Sequence, residues 1–218
     1  MTLKHIDLRK IILLFALVTA GVTLANSFFA ARTVQHQVLV DTALEANRAY
    51  AAKLASSIEA FLLSSQQQLA YSVGQISRDF ANPRLLHAEA RRLQEQDLGF
   101  NAVTIVDAEG HVLAAWPPSL LHDGQALTSS GAEHALKSRV PLISDAYTSS
   151  TGNLVVFVSH PVFDAEQRYL GFVGGAIYLR EKGILHTLIS NHFYRDGTLS
   201  YVVDTHRRLL YHPQFERV

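Results

Sequence analysis

The residues of this chain that could do chemistry are its histidines, one serine–histidine pair and one glycine-rich run. Of the eleven histidines, His186 and His192 stand six positions apart, which does not put both on one helix face as an i, i+4 pair would be. His160 precedes Pro161 in an apolar run, and His206 and His212 lie near the end of the sequence. These spacings form no convergent set, so no metal and no other cofactor is expected. A pH response is open to imidazole, whose ordinary pKa lies nearest neutrality. Ser159-His160 is an adjacent pair, and neighbours on a strand point to opposite faces. Gly171-Phe-Val-Gly174-Gly175 reads as a strand and opens no helix, so its glycines relieve crowding in a sheet rather than cradle phosphate. No nucleophile elbow, phosphate loop, zinc-protease helix or pair of catalytic carboxylates occurs. Cysteine is absent, which removes disulfide, zinc-ribbon, thiol and iron–sulfur chemistry. No catalytic residue is assigned, and whether a longer parent protein is an enzyme stays open.

The elements that position these residues begin with the charge distribution. Lys plus Arg and Asp plus Glu each total 19, so the net charge is zero and no general field exists to hold a nucleic acid. Charged residues are 17 %, below the roughly 25 % of soluble domains, and the deficit is local. Ile11 to Ala31 is a run of 21 residues without a charge, about 31 Å as a helix, enough for a bilayer core. Lys4, Arg9 and Lys10 precede it against Asp7, and Arg32 follows. The positive-inside rule puts residues 1–10 in the cytoplasm and the chain after Arg32 outside, a single pass through the bacterial inner membrane with a periplasmic remainder. A cleaved signal peptide would have a shorter apolar region and a small-x-small site; here Ala25-Asn26-Ser27 meets bulky Phe28 and Phe29.

Residues 32–78 have no proline and no glycine before Gly74, with Leu44, Ala51, Leu54, Ile58, Phe61, Leu62 and Leu69 at helical spacing. This predicts a stalk helix. Its stripe suits a dimer seam and burial against its own domain equally, and the two are compatible.

Asn82-Pro83 breaks that helix, and Arg84 to Gln96 reads as another. Ala102–Val106, Asp107-Ala-Glu-Gly110 and His111–Ala114 read as a β-hairpin. Ala132–Lys137 is a short helix, and Leu154–Val162 and Tyr169–Ile177 are long central antiparallel strands. Leu179–His192 returns to helical spacing through Leu185, Leu188 and Ile189. The order predicts an α+β domain, an antiparallel sheet flanked by helices, over residues 79–198. Asp107 and its hairpin recur 97 positions later at Asp204, with Ile105, Val106, Val112 and Leu113 matched by Val202, Val203, Leu209 and Leu210. Residues 199–218 are thus expected to open a second, truncated copy of the unit; because an isolated hairpin is marginal in water, they either pack on the first unit or, the favoured reading, belong to a longer parent protein.

Anchor, stalk and tandem sheet units resemble the double Cache sensor architecture, which is PAS-like and extracytoplasmic. The resemblance is carried by Pro141-Leu-Ile-Ser144-Asp-Ala-Tyr147, Thr151-Gly-Asn-Leu-Val155, Ser159-His-Pro-Val162, Leu170-Gly-Phe-Val-Gly-Gly175-Ala-Ile177 and Val203-Asp204 through Leu210-Tyr211-His-Pro213. It implies a small-molecule ligand, a homodimer and a cytoplasmic output domain. The wording looks most like the N-terminal region of a membrane-bound GGDEF diguanylate cyclase, which makes cyclic di-GMP; a histidine kinase or a chemoreceptor is the alternative. A pilin-like structural subunit shares the outline but carries an acid at the start of its apolar helix, whereas this segment begins Arg9-Lys10-Ile11 and meets no acid until Asp41.

Amino-acid-binding members of that family carry an Arg-x-Trp, a Tyr, and two aspartates about the central strands. This chain keeps Tyr147, but Ser149 and Ala176 stand at the aspartate positions and no Arg-x-Trp occurs. A free amino acid's ammonium needs carboxylates and its carboxylate needs strong donors, so amino-acid sensing is not expected. The candidate ligand-lining residues are Trp116, Tyr147, Ser149, Phe157 and Tyr178. Core packing is the competing role for Phe157 and Tyr178.

Overall fold

Apolar side chains on every face of one helix leave it no soluble partner to prefer, and this governs the first part of the structure. The structure is a computed structural model that describes residues 8–96, 99–181, 183, 187–188 and 201–212. Helix α1 (Leu8–Ile76) contributes to two compact units, Met1–Lys53 and Leu54–Val218. In the first unit the helix is long and apolar enough to cross a membrane, and none of its most apolar window is buried in protein. Leu13, Phe15, Leu24 and Phe29 are all exposed. The Thr19 and Thr23 hydroxyls donate to the carbonyls of Phe15 and Thr19, at 2.9 and 2.7 Å, so these two polar groups are satisfied within the helix, as hydrocarbon requires.

In the second unit, α1 ends at Ile76 and a single 3-10 turn, Ser77–Asp79, follows. Asn82 caps helix α2 (Pro83–Glu95), its side chain accepting from the Leu85 amide, with Pro83 in the first turn. Leu86, Ala90 and Leu93 form the buried stripe of α2 and meet Leu69 and Ile76 of α1. Strands β1 (Ala102–Asp107) and β2 (Val112–Trp116) make the expected hairpin. Helix α3 (Ser130–Ser138) is capped by Ser129, whose side chain accepts from the Ala132 amide. Strands β3 (Leu142–Ile143), β4 (Tyr147–Thr148), β5 (Leu154–Phe163) and β6 (Tyr169–Tyr178) complete an antiparallel sheet of order β2-β1-β6-β5-β3, with β4 also on β5. The helix expected from Leu179 to His192 falls on a stretch where only a few residues, Leu188 among them, are described. His186, His192, Leu185 and Ile189 lie outside the described residues.

The sheet has two different faces. Val103, Ile105, Val158, Val173 and Ile177 point to α1 and α2, while Val106, Ala115, Phe157 and Phe172 point to α3. Glycines set how closely side chains approach. A Cβ at Gly174 would collide with the Phe157 ring and one at Gly175 with Phe100, which fits the crowding role read for that run.

Strands β7 (Val202–Val203) and β8 (Leu209–Tyr211) form the second hairpin. Val203 pairs with Leu209 and Val202 with Tyr211, across a register shift. In the first hairpin Val106 pairs with Val112 and Ile105 with Ala114, across the same shift. Every partner is 97 positions further on, so the recurrence extends to the bulge. One turn serves three hairpins. Asp107, Asp164 and Asp204 each donate their amide to the carbonyl four residues on, and each side chain accepts that residue's amide. The residue three on is left-handed in all three: Gly110, Gln167 and Arg207.

Candidate functional site

A pocket of about 70 Å³ opens on the α3 face of the sheet, room for a small molecule rather than a single water. Ala102 and Thr104 of β1 and Ala176 of β6 form its floor, with Val155 and Phe157 of β5 beside them. Strand alternation delivers them, because residues two apart share a face. Ala102 pairs with Ala176 and Thr104 with Gly174, so the floor is made of small residues and has depth. Leu120, Leu121 and Leu127, from the loop before α3, supply an apolar wall. Ser149, Ser150 and Thr151 line the opposite rim from the turn between β4 and β5, and Tyr178 closes the end of β6.

The polar groups are hydroxyls. Tyr147 donates to the Ser129 Oγ at 3.3 Å, and its hydroxyl lies beside Gly131 of α3. Burial raises the Tyr147 phenol above its ordinary pKa, and the neighbouring Ser129 hydroxyl and Gly131 backbone offset only part of this; the group is a neutral hydroxyl. The Ser149 and Thr151 hydroxyls pair at 2.8 Å. The Thr104 residue is 6 % exposed, and its Oγ1 is buried without a hydrogen-bond partner.

Tyr147, Ser149, Phe157 and Tyr178 therefore come together on one pocket. Phe157 does double duty, since its ring also packs edge-on against Phe172 at 6.0 Å. Trp116 is not among the lining residues. It belongs to the cluster on the other face of the sheet, with the Arg91 guanidinium 5.4 Å above its ring. Ser149 and Ala176 both line the pocket, so neither position brings a charge there. Sequence reasoning missed Thr104 and Ser129. Alternation from Val103 and Ile105 would have placed Thr104 on the open face, and a serine three residues before the first buried alanine of α3 is a cap signal. Among the described residues no three histidine or acidic side chains converge as a metal site would require.

The loop that carries Tyr147 is tied elsewhere. Ala146 is buried with Leu179 and Tyr211, and Leu54, Ile58 and Phe61 of α1 pack against the same cluster. Part of the stripe on α1 is thus covered by its own domain. Arg208, held by Asp204 at 2.6 Å, donates to the Ala146 carbonyl at 3.1 Å.

Comparison with known proteins gives the following. The Cache domain family matches residues 31–218. No curated protein matches. Among solved structures, the extracellular ligand binding receptor from Desulfohalobium retbaense has a TM-score of 0.65 at 18 % identity, over 77 % of this chain and 31 % of that one. The ligand-binding domain of the Pseudomonas aeruginosa amino-acid chemoreceptor PctC, in complex with GABA, has a TM-score of 0.56 at 20 % identity, over 76 % and 74 %. That of the Pseudomonas fluorescens chemoreceptor CtaA, in complex with L-serine, has 0.57 at 21 %, over 74 % and 68 %. This chain spans about a third of the length of the first of these. At such identities the likeness is one of fold.

Proposed function

The chain belongs to the Cache domain family, and from that premise we propose that it is the extracytoplasmic ligand-sensing region of a membrane-bound bacterial signalling protein. Its output in this reading is a C-terminal diguanylate cyclase that makes cyclic di-GMP, and its working state is a homodimer. The observation that carries the sensing role is the division of the sheet. One face holds a pocket lined by hydroxyls and apolar groups, the mixture small-molecule recognition needs, while the other is packed against α1 and α2. A ligand on Tyr147 bears on the loop through Ala146, and Ala146 shares a cluster with Leu54, Ile58 and Phe61 of α1. Such a ligand shifts that packing only by its difference in affinity for two arrangements. The apolar part of α1 serves as the anchor, with the sensor on the periplasmic side of the inner membrane.

The test is cyclic di-GMP in cells that express the whole reading frame, with and without Tyr147→Phe, together with the sequence of the locus beyond Val218. A GGDEF domain whose activity changes with the pocket variant is the expected result. A kinase core or a chemoreceptor coiled coil there overturns the cyclase output and leaves the sensor. Reporter fusions after Arg32 that are active in the cytoplasm overturn the topology.

A further inference from the structure

We infer that the pocket takes a small uncharged molecule, an apolar body with hydroxyl, carbonyl or amide groups, and excludes free amino acids, carboxylates and amines. This rests on the reading of the pocket as the sensor's ligand site and narrows what that ligand is. Among the described residues fourteen line the cavity and seven of them carry a hydroxyl; none of the fourteen is acidic, basic or a histidine. A charged group brought from water into such a site without a counter-charge costs several kcal/mol or more. Hydroxyls, by contrast, both donate and accept, which suits a neutral partner.

Among the described residues about the pocket, the N-terminus of α3 is where an anion could find compensation, and its amides are already engaged. Of the helix's first four amides, Ala132 donates to the Ser129 Oγ and Glu133 to the Ser129 carbonyl, and the Tyr147 hydroxyl stands against Gly131. The Glu133 carboxylate in that first turn further offsets the dipole. Thr104 points independently to a ligand. The residue lines the pocket floor, and its hydroxyl beneath that surface is buried with no partner. Buried hydroxyls are rarely left unmet, and the groups across the sheet from it, Ala115 and Gly174, offer no side-chain donor or acceptor. A ligand's polar group seated over Ala102 and Ala176 would satisfy it, with Phe157 and Leu127 against the apolar body.

The test is calorimetric titration and thermal shift on the full chain in nanodiscs. The probes share short carbon skeletons and differ in charge: butyramide, butyrate and butylammonium; 2,3-butanediol, 3-hydroxybutanone and lactate; L-serine and GABA. Neutral members are expected to bind and to raise the melting temperature, while charged members do not. Thr104→Val should weaken the binding of the best neutral probe about tenfold without lowering the melting temperature of the free protein, and Thr104→Ser should restore it. Binding of a charged probe in preference to its neutral counterpart overturns the proposed class and leaves the pocket as a ligand site. Thr104→Val binding as tightly as the parent overturns the role of that hydroxyl. If no probe of any charge binds, both the class and the sensing reading fail.

Discussion

The Arg208 guanidinium donates to the carbonyl of Ala146 across 62 positions of sequence, and the residue after Ala146 is Tyr147, which lines the pocket on the α3 face. The donor lies in the hairpin of β7 and β8, and Asp204 holds it from behind. The hairpin is therefore joined to the loop that carries Tyr147 by this polar contact and by the burial of Tyr211 with Ala146.

Arg208→Leu removes the donors and keeps the bulk. Hydrogen exchange across residues 202–211 is expected to rise at least about tenfold, since the guanidinium's bonds to the Ala146 carbonyl and to the Asp204 carboxylate are both lost and the first alone is worth roughly 1.5 kcal/mol. Affinity for the best neutral probe should stay within about twofold, as the pocket lining is untouched. Unchanged exchange would mean that the contact does not fasten the hairpin.

Gly131→Ala separates helix propensity from packing. Alanine in a helix gains up to about 1 kcal/mol over glycine. Yet the new Cβ would lie 2.7 Å from the Tyr147 hydroxyl and 2.8 Å from the Phe157 Cβ, and a Cβ moves only with its backbone. Overpacking of this kind costs about 1–3 kcal/mol, so the clash wins. A lower melting temperature and weaker probe binding are expected; a more stable protein would mean that α3 can slide away from the sheet.

Tyr147→Phe and Trp116→Ala should dissociate binding from stability. The first deletes a hydroxyl in the pocket and is expected to weaken the neutral probe about tenfold, for about 1 kcal/mol of stability. The second empties a half-buried site on the opposite face, under Arg91, and is expected to cost about 1–3 kcal/mol while affinity is kept. Denaturant melts and calorimetry on both variants read this directly. Loss of affinity in Trp116→Ala would bring that residue back to the ligand.

Acid should loosen the join between α1 and α2. Burial pushes the Glu89 carboxyl up, but hydrogen bonds from Arg92 and Ser72 and the Arg92 charge pull it further down, so it lies below its ordinary 4.5. Arg92 also donates to Ser72 of α1 at 2.9 Å. A carboxyl depressed by folding stabilises the protein above its unfolded pKa, and that stability is lost as pH falls through the folded value. The melting temperature is therefore expected to fall below about pH 4.5, and Glu89→Gln should flatten that fall. An identical pH profile in the variant would remove Glu89 as its source.

The long elements were legible in the sequence because their signals are long. The uncharged run of α1, the alternation of β5 and β6, and the Asp-led hairpin at Ala102 each repeat a pattern over many residues. Helix α2 begins at Pro83 and the β5 strand ends at Phe163, each one residue beyond its expected bound. Strands β3 and β4 were not legible, since two residues each carry no periodicity; Ser144 fixes them, exchanging its amide and Oγ with the backbone of Phe157 at 2.8 and 2.9 Å. In the site, aromatic and loop residues drew notice while Thr104 did not. A threonine within an apolar strand reads as β-propensity, and only the missing partner for its hydroxyl marks it out. Trp116 stands before Pro117 and Pro118, a context that reads as a loop open to a ligand, but the bulge between Ile105 and Val106 sets the register that turns it to α2.

The pocket's two sides differ in how freely they can change over generations. The floor is built into strands whose small residues also seat Phe157 and Phe100, so altering it disturbs the core. The rim of Ser149, Ser150 and Thr151 rides on a short surface turn closed by the amides of Ser149 and Gly152, and such turns accept substitution and insertion readily. Changes at a few loop positions can thus reshape the rim while the floor, and the packing of Ala146 beside Leu54, Ile58 and Phe61 of α1, stay as they are.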